Sequence, residues 1–81
     1  MTAKIWKTQI VRSNGNCFIK ANNKLFFLTP TTKWFKNNNG NFVKLNNRVS
    51  ENYNLIDCEL NINVAKMEVV AIKFVDVERK F

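Results

Sequence analysis

Aromatic rings and lysines recur at a spacing of two in this sequence, and that spacing suits a particular chemistry. In an extended strand, residues i and i+2 point to the same face, so each pair sets a ring beside an ammonium group. The ring can stack on a nucleic-acid base while the ammonium neutralises a phosphate, as single-stranded nucleic acid binding requires. The six pairs are Lys4/Trp6, Phe18/Lys20, Lys24/Phe26, Lys33/Phe35, Trp34/Lys36 and Phe42/Lys44.

The charge is distributed unevenly along the chain. The 81 residues include 13 Lys and Arg against 6 Asp and Glu, for a net charge of +7. Residues 1–48 hold nine of the basic residues and no acidic one, whereas residues 49–81 hold four basic and six acidic residues (+9 and −2). Such asymmetry suggests a polyanionic partner, either a nucleic acid or an acidic protein surface. A solubility charge that happens to be uneven is the alternative interpretation.

Residue types that support catalysis are scarce. The sequence has no His, the commonest general base and metal ligand. Cys17 and Cys58 are too far apart in sequence to indicate a zinc site, and two glycines do not make a phosphate-binding loop. Asp57 and Glu59, two residues apart, are typical of a solvated strand face. We therefore expect no enzyme activity, no cofactor and no metal.

The length and the cysteine content indicate one small intracellular domain spanning residues 1–81. The sequence shows neither a secretory signal nor an apolar run of the roughly 18 residues that a membrane span needs. We interpret both cysteines as small core residues, with a disulfide as the alternative, and expect a cytoplasmic location. The many Asn and Lys residues are typical of an AT-rich coding sequence, which is compatible with a phage or a low-GC bacterium.

Short apolar runs separated by Asn and Gly predict an all-β protein. The segment Leu55 to Val64 alternates apolar and polar residues, and is the clearest strand. The segment Met67 to Val77 is apolar on both faces near its centre, which predicts a central strand or one with a bulge. The other predicted strands are Lys4 to Arg12, Cys17 to Ala21, Leu25 to Thr29 and Phe42 to Leu45. We expect them to form a small antiparallel β-barrel of five to six strands.

The turn within residues 17–29 decides which rings of this hairpin are exposed. A three-residue loop, Asn22 to Lys24, pairs Ile19 with Phe27 and leaves a wholly apolar face opposite an aromatic and basic one. A two-residue turn would instead pair Ile19 with Phe26. We favour the three-residue loop, which places Phe18, Lys20 and Phe26 on the exposed face.

The segment that follows this hairpin combines a helix-start signal with two large aromatic residues. Thr29 as a cap with Pro30 at the first helical position predicts a single helical turn through Phe35. Trp34 and Phe35 then lie between two lysines, ahead of an Asn-rich loop. Because this arrangement does not follow a core pattern, we interpret it as a contact surface.

Two segments resemble the short nucleic-acid-binding motifs of cold-shock domains. The segments are Asn14-Gly15-Asn16-Cys17-Phe18-Ile19 and Leu25-Phe26-Phe27-Leu28. In that family the motifs lie on adjacent strands of a five-stranded OB-type barrel. The resemblance implies an OB-like fold in which Phe18 and Phe26 stack on bases and Lys20 contacts a phosphate.

These patterns predict a basic protein that binds single-stranded DNA or RNA with low sequence specificity. The alternative is a phage-encoded interaction module that inhibits or modulates an acidic host enzyme. We expect no membrane contact, and the apolar stretch Met67 to Ile72 is a candidate edge for pairing with a second copy in a homodimer. The candidate nucleic-acid-binding residues are Phe18, Lys20, Phe26, Lys33, Trp34, Lys36, Phe42 and Lys44.

Overall fold

The computed structural model describes residues 1–79. These residues form seven strands and no helix. The predicted all-β class is therefore confirmed for this range, and no helix within it is long and apolar enough to cross a membrane. The strands are β1 (Thr2–Ser13), β2 (Asn16–Ala21), β3 (Lys24–Asn38), β4 (Asn41–Leu45), β5 (Tyr53–Asn63), β6 (Glu68–Phe74) and β7 (Asp76–Arg79).

Five of the strands close into a ring. The order around the ring is β1, β2, β3, β6 and β5, and β5 returns to pair with β1. The ladder between β3 and β6 is parallel and the other ring ladders are antiparallel. The expectation of a wholly antiparallel sheet is thus wrong at this ladder. The short strands β4 and β7 lie off the ring, where β4 pairs with β3 and β7 pairs with β5.

Asparagine residues form the tight turns that join neighbouring strands. Asn22 and Asn23 have φ values of 52° and 64°, so both occupy the left-handed region that a two-residue type I′ turn needs. The turn pairs Ile19 with Phe26 across β2 and β3. The three-residue loop expected from the sequence, with its register, is therefore wrong. Because Asn tolerates this conformation at both positions, the turn needs no third residue.

The long strand β3 contains the segment for which the sequence predicts a helical turn, and that prediction is wrong. The parallel register with β6 shifts between Leu28 and Lys33, so the chain bulges around Pro30, which has no N–H to donate to a ladder. The Thr32 hydroxyl donates to the Val69 carbonyl oxygen at 2.7 Å and accepts from the Thr29 N–H at 3.0 Å. The first bond attaches the bulge to β6, and the second lies within the bulge itself.

The prediction of a central or bulged strand between Met67 and Val77 is confirmed in β6. This strand lies between β3 and β5, and its register with β5 shifts so that Val70 lies in a bulge. Both edges of β6 are therefore occupied. The expectation that Met67 to Ile72 offers a free edge to a second copy is wrong.

The core fills the inside of the ring with side chains from every ring strand. Ile19, Leu55, Leu60, Ile72 and Phe74 are fully buried. In β5 the predicted alternation holds from residue 58 onwards, but the positive φ of Asp57 (53°) interrupts it, so that residues 55 and 58 both face inward. The inward-facing positions of β5 are therefore odd-numbered before Asp57 and even-numbered after it.

Both cysteines are free and buried in this core, as predicted. Burial, with a smaller contribution from the charge of Asp57, raises the pKa of the Cys58 thiol from 9.0 to about 12. The Cys58 thiol therefore stays protonated in the folded protein at pH values where it ionises in the unfolded chain.

Substitutions at Asn23 test the two-residue turn. We expect Asn23→Val to lower the free energy of unfolding by about 1–2 kcal/mol, since a β-branched side chain is strained at positive φ. Asn23→Gly should be neutral or slightly stabilising, because Gly adopts this conformation without strain. Urea unfolding of the two variants measures the difference. Equal stability of the two variants would contradict the turn.

Alkaline pH tests the environment of Cys58. The pKa of the Cys58 thiol is higher in the folded protein than in the unfolded chain. The contribution of this thiol to the free energy of unfolding is therefore fully present below the unfolded-state pKa, and it is lost as pH rises from about 9 towards 12. Between pH 8 and 10 we expect wild type to lose about 1 kcal/mol more stability than Cys58→Ala, which lacks the thiol. Parallel pH profiles from urea unfolding would contradict the assignment.

Candidate functional site

One sheet face displays rings and lysines together, and we call it the basic–aromatic face. Phe35 of β3 lies opposite Lys44 of β4 on one side and Lys73 of β6 on the other, and cross-strand partners share a face. Lys33 and Phe42 lie two residues along from these positions and therefore point the same way. The five members of the face are Lys33, Phe35, Phe42, Lys44 and Lys73.

The rings of this face are accessible to solvent. Phe42 is 46% exposed, and the Lys73 ammonium lies 5.6 Å from the centroid of its ring. Phe35 is half-buried between its two cross-strand lysines, while Lys33 and Lys44 are exposed. A planar group bound on this face could therefore stack on a phenyl ring, and an anionic group bound beside it could contact a lysine ammonium.

A second pair of rings lies further along the outer surface, towards the start of β3. Phe18 of β2 and Phe27 of β3 are cross-strand partners whose ring centroids are 5.5 Å apart in an edge-to-face arrangement. Both rings are half-buried, and the exposed Lys20 and Leu25 form the adjacent cross-strand pair. We call Phe18 and Phe27 the phenylalanine pair.

A cleft separates the phenylalanine pair from the basic–aromatic face. It has a volume of about 850 Å³ and lies between the β1–β2 turn and the segment that leaves β4, with the bulge of β3 as its floor. Its lining includes Lys33, Lys44 and Arg48 and contains no acidic residue among those described. The hydroxyls of Thr29 and Thr31 lie 2.9 Å apart at the floor. The cleft therefore offers cations to an anion, beside threonine hydroxyls that are hydrogen-bonded to each other.

The ion pairs among the described residues do not include the cations around the cleft. Lys7 pairs with Glu78 and Arg12 pairs with Glu51, and none of these four residues lines the cleft. Within residues 1–79 no ion pair involves Lys20, Lys33, Lys44 or Arg48. No group of three His, Cys, Asp or Glu side chains in the same range is placed to hold a metal ion.

Acidic residues mark one border of this surface. Glu68 lies opposite Phe27, and Glu59 lies opposite Lys73, in the ladders on the β6 side. A polyanion would therefore follow β3, the cleft and β4, and would be repelled at the start of β6, by Glu68, and from β5, by Glu59.

Two of the predicted contact residues lie in the core. Phe26 is 2% exposed and Trp34 is 5% exposed, so neither ring is free to stack on a ligand. The expectation that Phe26 is exposed is wrong because the two-residue turn places it opposite Ile19 on the inner face. The interpretation of Trp34 as part of a contact surface is wrong because β3 continues through it, opposite the buried Ile72.

The other predicted residues fall on two faces. Phe18 and Lys20 lie on the outer face of β2, and three more, Lys33, Phe42 and Lys44, belong to the basic–aromatic face. Lys36 points to the face opposite Lys33 and lines a smaller depression with Tyr53 and Val77. Five of the predicted residues thus remain on one continuous surface, and Lys36 does not.

Four aromatic or basic residues of this surface are absent from the eight candidate nucleic-acid-binding residues, although Phe35 lies in the segment that the sequence predicts to be a contact surface. Phe27 and Phe35 are the immediate neighbours of the two buried rings, and the period of two from Phe26 through Trp34 would have identified them once β3 was read as one strand. Arg48 belongs to the acid-free part of the sequence, whereas Lys73 belongs to the part with acidic residues. The assignment of Lys73 required the pairing of β6 with β3.

Trp6 stands apart from this surface. It is 73% exposed, the highest value among the large hydrophobic residues described, and it lies on β1 where β1 pairs with β5. In the ring, β2 separates β1 from β3 on one side, and β5 and β6 separate them on the other. The pair Lys4/Trp6 therefore does not join the basic–aromatic face.

Comparison with protein-family models, with curated proteins and with solved structures finds no match to this chain. The site is therefore interpreted from its own geometry.

Paired substitutions at adjacent positions test which ring is structural. We expect Trp34→Ala to lower the free energy of unfolding by about 3–5 kcal/mol, since it removes a buried ring from the core. Phe35→Ala, one residue along on the outer face, should cost about 1 kcal/mol or less. Urea unfolding of both variants provides the measurement. A larger loss for Phe35→Ala would reverse the assignment of the faces.

Proposed function

We propose that this protein binds single-stranded nucleic acid, DNA or RNA, with little sequence preference. The binding surface is the phenylalanine pair, the cleft and the basic–aromatic face, which follow one another along β3. The observation that carries the proposal is the cross-strand row of Lys73, Phe35 and Lys44 beside a cleft whose lining, among the described residues, contains no acidic side chain. Rings and unpaired ammonium groups on one face supply both interactions that an unpaired strand requires.

The spacing of the rings favours a single strand over a duplex. Phe27 and Phe35 lie opposite Glu68 and Lys73, which are five positions apart in β6, or about 15 Å along a strand. Each ring can take one unstacked base, while the cleft between them takes the intervening phosphates. A duplex keeps its bases stacked on each other and would leave these rings unused. The site matches the short end of the range for one small barrel, roughly four nucleotides.

Low sequence preference follows from the kind of side chains present. Every base has a face that can stack on Phe, and lysine contacts phosphate without regard to sequence. Sequence-specific recognition needs hydrogen bonds to base edges, and the rings proposed to hold the bases, Phe27 and Phe35, cannot form them. Affinity should therefore depend on charge and on stacking.

We further propose that the ring is an OB-like barrel. In that fold the first strand pairs with the second and the fourth, and the third pairs in parallel with the fifth. The five ring strands, counted along the chain, pair in this order and in these directions. OB-type barrels bind oligonucleotides on the second and third strands and on the loop between the first two. The phenylalanine pair and the wall of the cleft at Gly15 and Asn16 lie at the corresponding places.

An acidic protein is the second candidate partner, as expected for a phage-encoded module that modulates a host enzyme. The observation that favours it is Trp6, because an exposed Trp is a typical anchor at protein interfaces. A protein partner would use the charge of the same basic surface, with Trp6 as a contact outside it.

Salt titration of oligonucleotide binding tests the proposed function. We expect a fluorescent oligothymidine to bind at low salt and to be released as salt rises, since each neutralised phosphate frees a counterion. Lys44→Ala or Arg48→Ala should reduce the slope of log K against log salt by about 0.7 each. Lys4→Ala is the matched control, because Lys4 is an exposed lysine of the acid-free part that lies on β1. Fluorescence anisotropy measures the affinities.

The rings are tested in the same assay. Phe35→Ala should weaken binding by about 1–3 kcal/mol at every salt concentration without changing the slope, whereas Trp6→Ala should leave binding unchanged. Absence of binding at low salt would overturn the nucleic-acid proposal and leave the acidic protein as the candidate. If Lys4→Ala and Lys44→Ala reduce the salt dependence of binding equally, the binding surface is not the one proposed along β3.

A further inference from the structure

The strand β4 presents an unpaired edge. It pairs with β3 along one side, and within residues 1–79 no strand pairs with the other side. Its side chains are also open to solvent, since Phe42 is 46% and Val43 is 47% exposed. Neither a proline nor a bulge interrupts its five residues, Asn41 to Leu45. Such an edge is a template for pairing with another strand.

The turn that begins β4 determines which backbone groups point to that edge. Asn39 and Gly40 form a two-residue turn, so the flanking residues Asn38 and Asn41 form a hydrogen-bonded pair. Hydrogen-bonded and non-hydrogen-bonded pairs alternate along an antiparallel ladder. Val43 therefore bonds to β3, whereas the N–H and C=O groups of Phe42 and Lys44 point away from β3, to the unpaired edge.

We propose that the occupant of this edge is β4 of a second copy of the chain, in an antiparallel arrangement with twofold symmetry. One register uses all four outward groups of each strand. It places Phe42 opposite Lys44 of the second copy, Lys44 opposite the second Phe42, and Val43 opposite its own symmetry mate. This register makes four main-chain hydrogen bonds across the interface.

The side chains in this register are self-complementary. On the outer face each Phe42 ring lies beside the ammonium of Lys44 from the other copy, a cation–π arrangement that the ring already makes with Lys73. On the other face the two Val43 side chains meet at the twofold axis. No two like charges lie directly opposite each other, which would oppose pairing. A twofold interface uses the same patch on both copies, as this edge does.

The dimer would extend the sheet across both copies. β3 and β4 of one copy would continue into β4 and β3 of the other, and the two basic–aromatic faces would form one surface. The pairing itself needs no nucleic acid, so it stands or falls independently of the proposed function.

Sedimentation equilibrium of the purified protein without nucleic acid tests the pairing. We expect a weak, reversible dimer between about 10 µM and 1 mM, because two five-residue strands bury less than a standard interface. Val43→Glu should abolish it, since two carboxylates would meet at the twofold axis. Val70→Glu is the matched control, a valine of equal exposure (46%) in the β6 bulge, and should dimerise like wild type.

A mixture of two variants separates pairing from a folding defect. Val43→Glu and Val43→Lys should each be monomeric, and their equimolar mixture should form a heterodimer as tight as or tighter than the wild-type dimer. A wild-type protein that is monomeric at 1 mM would overturn the proposal. So would a dimer that persists in Val43→Glu, or a mixture that does not associate.

Discussion

The parallel ladder between β3 and β6 is the contact on which the rest of the structure depends. Strands β1, β2 and β3 follow one another as neighbours, and β5 and β6 form a second antiparallel pair. Within residues 1–79, the pairing of β3 with β6 and that of β1 with β5 join these two groups into a ring. Each of these closures links segments distant in sequence, so each must offset a large loss of chain entropy. The apolar side chains enclosed by the ring supply that stabilisation.

The bulge in β3 is the point where that ladder and the candidate site meet. Across it, the Thr32 hydroxyl donates to the Val69 carbonyl oxygen, which links the two strands where their register shifts. The bulge also separates the part of β3 that pairs with β2 from the part that pairs with β4. The cleft lies in the gap between β2 and β4. The bulge of β3, which contributes to the contact with β6, thus also forms the floor of the cleft between the phenylalanine pair and the basic–aromatic face.

The charge of the chain is sorted by this topology. The acid-free part of the sequence forms β1 to β4, and every acidic residue lies after β4. Two of its cations, Lys7 and Arg12, form ion pairs with acidic residues from later in the chain, whereas the cations that line the cleft form none within residues 1–79. The later part adds Lys73 to the basic–aromatic face, but it also places Glu59 and Glu68 along the border. The basic–aromatic face and the cleft therefore follow β3 and β4, with acidic residues of β6 and β5 along one border.

Much of the strand content is readable from local patterns. The turns at Asn14-Gly15, Asn22-Asn23 and Asn39-Gly40 fall where Asn and Gly punctuate the sequence, because these residues adopt positive φ at low cost. The alternation in β5 and the doubly apolar centre of β6 are equally visible. The continuity of β3 is not, since Thr29-Pro30 also satisfies the rules for a helix start. The strand forms there because Thr32 and Trp34 gain burial against β6, a contact distant in sequence.

The sequence by itself determined the all-β class, the positions of most strands and turns, and a basic, aromatic-rich first part. These follow from residue type and from a period of two, which act over a few neighbouring residues. The tertiary structure alone decided which rings are exposed, because one residue of register exchanges Phe26 for Phe27. It also decided that Phe35, not Trp34, lies beside Lys44, and that Lys73 joins them from the far part of the chain. The face on which a side chain lies, and the residues beside it, depend on pairing between strands that are distant in sequence. No local sequence pattern encodes that pairing.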